Sequence, residues 1–127
     1  NVKENNSSAK PVMADALEIC ETFADGELDL IVSNPPYIKS ADIETLQKEV
    51  RLEPRLALDG GEDGCDFYRE IVSRWSRKLK KGGALAFELG ENQADAVKAL
   101  MTDKGFSDFK ISLDFGGVQR AIIGTLL

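Results

Sequence analysis

The sequence predicts an α/β domain whose parallel sheet ends in an antiparallel hairpin. Two apolar runs, residues 28–33 and 84–89, are typical of buried parallel strands. Amphipathic segments with helical spacing lie between and after these runs. Near the C-terminus apolar and polar residues alternate up to Gly116-Gly117, which turns the chain into a last strand. Strands that alternate with helices favour parallel crossovers, and the final alternation adds an antiparallel hairpin at one edge.

The composition suits one soluble domain and excludes several classes of protein. The chain has 127 residues, of which 43% are hydrophobic and 30% charged, with a net charge of -6 and no histidine. Its apolar runs are shorter than the ~20 residues of a membrane span, and the negative charge argues against a nucleic-acid-binding surface. Without histidine there is no His-based triad or His-ligated zinc, and Cys20 and Cys65 lack metal-ligand spacing. A cytoplasmic location, no membrane partner and no metal site are therefore expected.

The first part of the chain is predicted to hold short elements. Residues 12–14 (Val-Met-Ala) predict a brief strand that ends at Asp15, and residues 16–27 predict a short helix or loop closed by a turn. The run Leu28–Ser33 then predicts a buried parallel strand, which Asn34 and two prolines end.

The middle of the chain predicts two helices separated by a loop. Asp42 can cap a helix that continues to Val50, and residues 51–64, with one proline and three glycines, predict a long loop. Loops of that length are usually functional or mobile. The next helix ends at Gly82-Gly83, and its apolar stripe is Tyr68, Ile71, Val72, Trp75 and Leu79.

The last part of the chain predicts three strands and one helix. Residues 84–89 predict a buried strand, and a helix that contains Val97, Leu100 and Met101 ends at Gly105. The hairpin strands are expected where Phe109, Ile111, Leu113 and Phe115 alternate with polar residues, and at Gln119–Leu127.

The segment Asn34-Pro35-Pro36-Tyr37 carries the clearest chemical signal. It follows a predicted strand, and ligands of open α/β sheets bind beyond the carboxyl ends of strands. Prolines lack an N–H, so neighbouring carbonyls stay free to accept hydrogen bonds, and Asn34 adds one acceptor and two donors. With the flat ring of Tyr37, these groups predict a clamp for a small planar group that bears an NH2. The alternative is that the prolines only end the strand.

The residues around this segment resemble a known family. Residues 31–38 (Ile-Val-Ser-Asn-Pro-Pro-Tyr-Ile) look like the motif of S-adenosylmethionine-dependent methyltransferases that act on planar amino groups. From about Asp15 to the C-terminus, the chain resembles the peptide-chain-release-factor glutamine methyltransferases of the HemK/PrmC type. The residues that carry this resemblance are Glu49-Val50-Arg51, Glu53-Pro54, Ala57-Leu58, Gly60-Gly61, Asp63-Gly64, Asp66-Phe67-Tyr68-Arg69, Phe87-Glu88, Gly90, Gln93, Asp114, Gly117 and Arg120.

The resemblance implies a partial Rossmann-like sheet and a specific reaction. The expected reaction is methylation of the glutamine side-chain nitrogen in the Gly-Gly-Gln loop of a peptide chain release factor, with S-adenosyl-L-methionine as methyl donor. Residues 34–37 would bind the substrate, with Asn34, Pro35 and Tyr37 catalytic. Asp15, Ala16 and Asn34 would contact the cofactor, although Asp15 could instead cap the following helix.

Other polar and aromatic residues are expected to be structural. Solvated or capping roles are predicted for the acidic residues. The arginine could pair with an acidic loop residue or with a substrate, and the structural ion pair is favoured. The apolar helix stripe predicts core positions for the two aromatic residues. The residues concerned are Glu53, Glu88, Glu91, Arg120, Tyr68 and Trp75.

The front of the chain departs from the family's pattern. Residues 1–127 contain neither the glycine-rich loop that holds the cofactor nor a helical N-terminal recognition domain. We therefore expect the C-terminal part of a catalytic domain, with little methyltransferase activity by itself. We also expect residues 1–27 to be rearranged, partly mobile or exchanged with a second chain in a non-native self-association.

Two other functions remain open at this point. The acceptor could be a glutamine of a ribosomal protein or an exocyclic amine of a nucleic acid, and the acidic charge disfavours the second. Alternatively, the chain is a non-catalytic α/β module that binds a partner peptide through residues 34–37.

Overall fold

A four-stranded mixed sheet forms the centre of the molecule. The computed structural model describes residues 3–46 and 48–127. Strand β1 (Leu28–Ser33) pairs in parallel with β2 (Leu79–Glu88). Strand β4 (Gln119–Leu126) is antiparallel to both β2 and β3 (Phe106–Leu113), so the order is β1-β2-β4-β3. One parallel pair followed by a terminal hairpin confirms the predicted α/β class.

Two three-turn helices and two single-turn helices accompany the sheet. The short ones are α1 (Ala16–Ile19) and α2 (Lys48–Arg51), and the long ones are α3 (Asp66–Trp75) and α4 (Ala94–Asp103). Within the described part of the chain, no helix has the length and apolar character to span a membrane. Short 3-10 turns cover Cys20–Thr22, Ser40–Thr45, Arg55–Ala57 and Ser76–Lys78.

The apolar sides of α3 and α4 pack against one face of the sheet. Tyr68 of α3 is fully buried and meets Phe87 of β2 edge to face, with ring centroids 5.2 Å apart. The core position predicted for Tyr68 is therefore confirmed. Trp75 is partly buried and packs on the same cluster. The other buried members include Ile71, Val72, Leu79, Leu85, Leu89, Val97, Met101, Phe106 and Ile122.

Strand β1 lies at an edge of the sheet, and this corrects the prediction that it is buried. Among the described residues it pairs only with β2, and Leu30 and Val32 are 54% and 70% exposed. A continuous apolar run indicates a strand that can be covered on both faces, but the run does not specify whether covering elements are present. The predicted strand and its parallel pairing are confirmed.

The N-terminal strand predicted at residues 12–14 is wrong. These residues form no strand, and Val12 is 69% exposed and Met13 fully exposed. A strand needs a neighbour to satisfy its backbone groups, and none of the strands in the described residues pairs with this segment. The predicted helix does form as α1, and the indole nitrogen of Trp75 donates to the carbonyl of Ala16 at 2.9 Å. Residues 1 and 2 lie outside the described residues, so the rearrangement expected for residues 1–27 stays a prediction.

The helix predicted from Asp42 to Val50 is wrong as one element. Asp42 lies inside a 3-10 turn that begins at Ser40, so it does not cap a helix. Leu46 has an extended backbone, with ψ of 156°, which ends the turn before α2 begins. The apolar spacing in this region therefore reflects two separate turns that bury Ile43 and half-bury Leu46.

The helix predicted to reach Gly82-Gly83 ends earlier. Leu79 belongs to β2, and both glycines lie within that strand. Leu79 is buried in the core, so its place in the apolar stripe is explained equally well by a helix or by a strand. The pairing of β2 with β1 shifts between Leu79 and Ala84, and Gly82 there adopts a positive φ of 83°.

We expect the stability of the chain to depend on the sheet face that α3 and α4 cover. Leu85 is fully buried, so Leu85→Ala should lower the free energy of unfolding by about 2–5 kcal/mol through lost burial and a cavity. The matched change Leu113→Ala removes a 61% exposed side chain and should cost less than about 0.5 kcal/mol. Urea denaturation of both variants followed by circular dichroism measures the difference. Equal losses would contradict this core assignment.

Candidate functional site

The parallel pairing of β1 with β2 brings the predicted site segment, residues 34–37, next to the segment that follows β2. Residues 34–37 follow β1, and residues 89–93 follow β2, at the same edge of the sheet. The hydroxyl of Tyr37 donates to the carboxylate of Glu88 at 3.1 Å, and the side-chain amide of Gln93 donates to the carbonyl of Tyr37 at 2.9 Å. These two contacts join the strand ends although their partners lie 51 and 56 residues apart in the sequence.

A cavity of about 380 Å³ lies directly against residues 34–37. Asn34 is exposed and lines this space, whereas Pro35 is buried beside it. We call this space the Asn34 cavity. Its lining residues are Asn34, Pro35, Tyr37, Ile38, Val50, Glu53, Ala57, Leu58 and Glu88. The clamp predicted from the sequence therefore opens onto a space large enough for a side-chain amide.

Gln93 holds the backbone of this site with both ends of its buried amide. Its Nε2 donates to the carbonyls of Tyr37, at 2.9 Å, and Gly64, at 3.4 Å. Its Oε1 accepts from the backbone N–H of Gly90 at 2.9 Å and lies 3.2 Å from the hydroxyl oxygen of Tyr68. A buried amide with every polar atom bonded specifies one loop geometry. The sequence resemblance includes Gln93 but assigned it no role.

Glycines allow the loop before α3 to approach residues 36–37 closely. A Cβ atom on Gly60 would lie 2.7 Å from Cα of Tyr37 and 2.9 Å from the carbonyl oxygen of Pro36. Gly64 has a φ of 78°, and a Cβ there would lie 2.5 Å from the carbonyl oxygen of Tyr37. The part of the predicted long loop that contains these glycines is therefore packed against the site, and only glycine fits at these two positions.

Backbone hydrogen bonds reinforce this contact between the two loops. The N–H of Ile38 donates to the carbonyl of Leu58 at 3.0 Å, and the N–H of Gly60 donates to the carbonyl of Ile38 at 2.7 Å. Asp59 accepts from the hydroxyl of Ser40 and from the N–H of Gly61, and these bonds, together with Arg55, keep the pKa of its carboxyl low. The Asp59 carboxylate therefore stabilises the conformation of this loop.

Arg69 pairs with Asp63, another carboxylate of the loop before α3. The two side chains form an ion pair, and the N–H of Cys65 donates to Asp63 at 2.9 Å. The Arg69 hydrogen bond, with the help of this N–H, lowers the pKa of Asp63 to about 2. Asp63 is therefore ionised and engaged in structure at neutral pH.

Tyr37 is held by its hydroxyl, its carbonyl and its ring. Burial and the hydrogen bond to Glu88 raise the pKa of the Tyr37 phenol above its ordinary value. The ring lies so close to Gly90 that a Cβ there would come within 2.7 Å of the ring carbon Cδ2. Glu88 is therefore not simply solvated, as the sequence analysis expected, because its carboxylate is the partner of this hydroxyl.

Asp15 and Ala16 lie in a different cavity from Asn34. Asp15 caps α1, since its Oδ1 accepts from the N–H of Leu17 at 2.8 Å, as the alternative reading expected. Asp15 and Ala16 also line a largely apolar space of about 500 Å³ with Pro36 and Phe67, which we call the Asp15 cavity. The two cavities meet at residues 35–37 and share Ala57. The cofactor-binding role of Asp15 and Ala16 stays a prediction.

The remaining polar candidates are engaged in structure. Arg120 pairs with Asp114 at 3.0 Å, which confirms the predicted structural ion pair. Cys20 and Cys65 are buried free thiols. Across residues 3–46 and 48–127, no group of His, Cys, Asp and Glu side chains is arranged to hold a metal ion.

We expect the Gln93 amide to contribute more to stability than an exposed amide does. Gln93→Met keeps similar volume but leaves at least Gly90 N–H and the Tyr37 carbonyl without this partner. The free energy of unfolding should therefore fall by about 2–4 kcal/mol. The matched change Gln119→Met removes an exposed amide and should have an effect below about 0.5 kcal/mol. Urea denaturation compares the two, and indistinguishable midpoints would contradict the role of Gln93.

The two tyrosines should titrate above their ordinary pKa in the folded chain. Tyr37 and Tyr68 are the only tyrosines, and burial is the main cause that raises the pKa of each above 10.0. Absorbance at 295 nm should therefore show far less tyrosinate at pH 10 in the folded chain than in urea. The raised pKa values change the free energy of unfolding with pH: the stability of the folded chain is fully present below pH 10 and is lost as the pH rises through the folded pKa values. Coincident folded and unfolded titration curves would contradict this prediction.

Comparison with known proteins shows which curated proteins this chain is similar to in sequence. No family model matches the chain. A release factor glutamine methyltransferase from Geobacter sulfurreducens is 50% identical over 107 residues, which cover 84% of this chain and 38% of that protein. The chain spans about a third of the length of the curated relatives that it matches.

Two solved structures share the fold. The protein-(glutamine-N5) methyltransferase (release factor-specific) from Alicyclobacillus acidocaldarius is 28% identical, with a TM-score of 0.52 over 87% of this chain and 54% of that one. A methyltransferase from Pyrococcus furiosus is 20% identical, with a TM-score of 0.61 over 98% of this chain and 53% of that one, and shows the fold alone. The predicted resemblance is thus confirmed: this chain is homologous to the release factor glutamine methyltransferases over about a third of their length.

Proposed function

We propose that residues 34–37 form the acceptor site of an enzyme that methylates a glutamine side chain with S-adenosyl-L-methionine. The proposed acceptor is the glutamine of the Gly-Gly-Gln loop of a peptide chain release factor, a cytoplasmic protein substrate. One observation carries the proposal. In a chain homologous to release factor glutamine methyltransferases, Asn34, Pro35 and Tyr37 line one cavity at the carboxyl end of a strand.

The chemistry of an amide explains why these residues suit it. An amide nitrogen is a poor nucleophile because its lone pair is delocalised into the carbonyl. The Asn34 side-chain oxygen and the Pro35 carbonyl can accept the two amide N–H groups, which increases electron density on the nitrogen and holds it in place. The Tyr37 ring, fixed by its contacts with the end of β2, can pack on the amide plane and prevent its rotation.

The methyl donor is proposed to lie between Asn34 and the Asp15 cavity. S-adenosyl-L-methionine would supply a methyl group bound to a positively charged sulfur. Transfer would break the sulfur–methyl bond and form a nitrogen–methyl bond, with S-adenosylhomocysteine leaving as a neutral thioether and one amide proton lost to water. Asp15 is exposed and has capacity to accept an amino group besides its capping bond, and Ala16 lies on an apolar wall with Pro36. In-line alignment alone can supply about 7 kcal/mol of barrier reduction, so no histidine base is needed.

The domain assignment is also a proposal. Residues 1–127 would form the C-terminal part of the catalytic domain, since no glycine-rich strand-to-helix loop for the cofactor occurs among them. By themselves they would then transfer little methyl, and robust turnover by these residues alone would overturn this part.

The Asn34 side chain should be indispensable for methyl transfer. Because residues 1–127 are proposed to lack part of the cofactor site, the test uses a chimaera. The 107 aligned residues of this chain replace those of the Geobacter sulfurreducens relative. Transfer of labelled methyl to a Gly-Gly-Gln protein should fall at least about 100-fold with Asn34→Ala, because the amide loses its main acceptor and its orientation.

Two controls make this result specific. Asn34 is exposed, so thermal unfolding of the variant should be nearly unchanged, and Gln119→Ala, which removes an exposed amide on β4, should retain activity. Undiminished transfer by Asn34→Ala would reject the catalytic assignment and favour a peptide-binding module. Equal methylation of a DNA oligonucleotide or of a ribosomal-protein glutamine would reject the proposed substrate.

A further inference from the structure

The end of β2 and the segment that follows it hold Tyr37 with two side chains. Gln93 binds the backbone carbonyl of Tyr37, which fixes the path of the chain. Glu88 binds the hydroxyl at the far end of the ring, which fixes the direction in which the ring points. The contact with Gly90 lies between these two points. Held at both ends, the ring has one orientation at the wall of the Asn34 cavity.

Glu88 is itself anchored on the rigid part of the sheet. It is the last residue of β2 and pairs with Ala121 of β4. Its carbonyl accepts from the hydroxyl of Tyr68 at 2.8 Å, and the next N–H, of Leu89, donates to the carbonyl of Arg120 at 2.8 Å. A side chain on such a backbone holds a partner more precisely than a side chain on a free loop.

We propose that Glu88 is a positioning residue of the acceptor site, whose carboxylate holds the hydroxyl end of Tyr37 and so sets the position and tilt of the ring against the acceptor amide. The inference rests on the proposed function for its consequence in catalysis, but the contact itself can be tested without it. Glu88 transfers no proton and touches no reacting atom in this role. It acts on methyl transfer through Tyr37.

The charged surroundings of Tyr37 allow this contact to be measured. Glu88 and Glu53 both raise the pKa of the Tyr37 phenol, whereas Arg120 lowers it, and the neutral hydroxyl of Tyr68 lies behind the site. Of these groups, only Glu88 accepts a hydrogen bond from the Tyr37 hydroxyl. Removal of its charge and of its acceptor strength should therefore shift the titration of Tyr37 downward.

The first experiment measures the Tyr37 titration in this chain by NMR. With tyrosine labelled at Cζ, the two tyrosines give two resonances, and Tyr37→Phe identifies one of them. Glu88→Gln should lower the pKa of Tyr37 toward its ordinary value. Glu91→Gln is the matched control, because it removes the same charge three residues away without removing a partner of this hydroxyl, and it should leave the titration nearly unchanged. Equal shifts in both variants would overturn the inferred contact.

The second experiment measures methyl transfer in the chimaera described above. Glu88→Gln should lower kcat about 10- to 100-fold, the cost of a small misplacement of the reacting groups, while the KM for the cofactor changes little. Tyr37→Phe should lower kcat to a similar extent, and the double variant should be no slower than either single variant. Glu91→Gln should keep the kcat of the parent.

The outcomes separate this inference from the proposed function. A shifted Tyr37 titration with an unchanged kcat would overturn the positioning role while Asn34→Ala still tests the acceptor site. Independent, multiplicative losses in the double variant would show that Glu88 acts elsewhere and would also overturn the inference. If Asn34→Ala leaves transfer intact, the proposed function fails, whereas the NMR titration still decides whether Glu88 holds Tyr37.

Discussion

The buried side-chain amide of Gln93 is the interaction on which the geometry of the site depends. Residues 35 and 36 are prolines, which cannot donate backbone hydrogen bonds, so the segment that contains them cannot be held by a regular ladder. Gln93 supplies donors to two loop carbonyls and accepts from the turn after β2. One amide therefore joins three loops, and each would otherwise bury an unsatisfied polar group.

Close backbone contact is the second constraint, and it explains where the glycines are. Gly60, Gly64 and Gly90 all lie against Tyr37 or the carbonyl before it, at distances that leave no room for a Cβ. The part of the site beside Tyr37 is thus built largely from closely packed backbone atoms, and the carboxylates of Glu53 and Glu88 also line the cavity. Such a site suits a reaction that requires orientation of a neutral amide more than it requires a strong acid or base.

The sequence predicted the parts of this molecule that depend on local pattern. The order β1, α3, β2 and α4, the hairpin and the segment Asn34–Tyr37 follow from apolar periodicity, turn residues and proline chemistry. The exposure of β1 could not be predicted, because burial depends on neighbours that the run itself does not specify. Leu79 was predicted to lie in a helix because a buried leucine at this position fits the apolar spacing of a helix as well as that of a strand. Glu88 and Gln93 meet Tyr37 across 51 and 56 residues, and no local pattern predicts such contacts.

That long sequence separation also determines when the site can form during synthesis. Residues 34–37 leave the ribosome well before the residues that fix their geometry, and contacts between distant residues form late because the intervening chain must first be closed into a loop. Until β2 and the turn after it have been made, the Asn-Pro-Pro-Tyr segment has no partner for its carbonyl or for its ring. The proposed acceptor site therefore cannot take up its folded geometry until the end of β2 has packed against Tyr37.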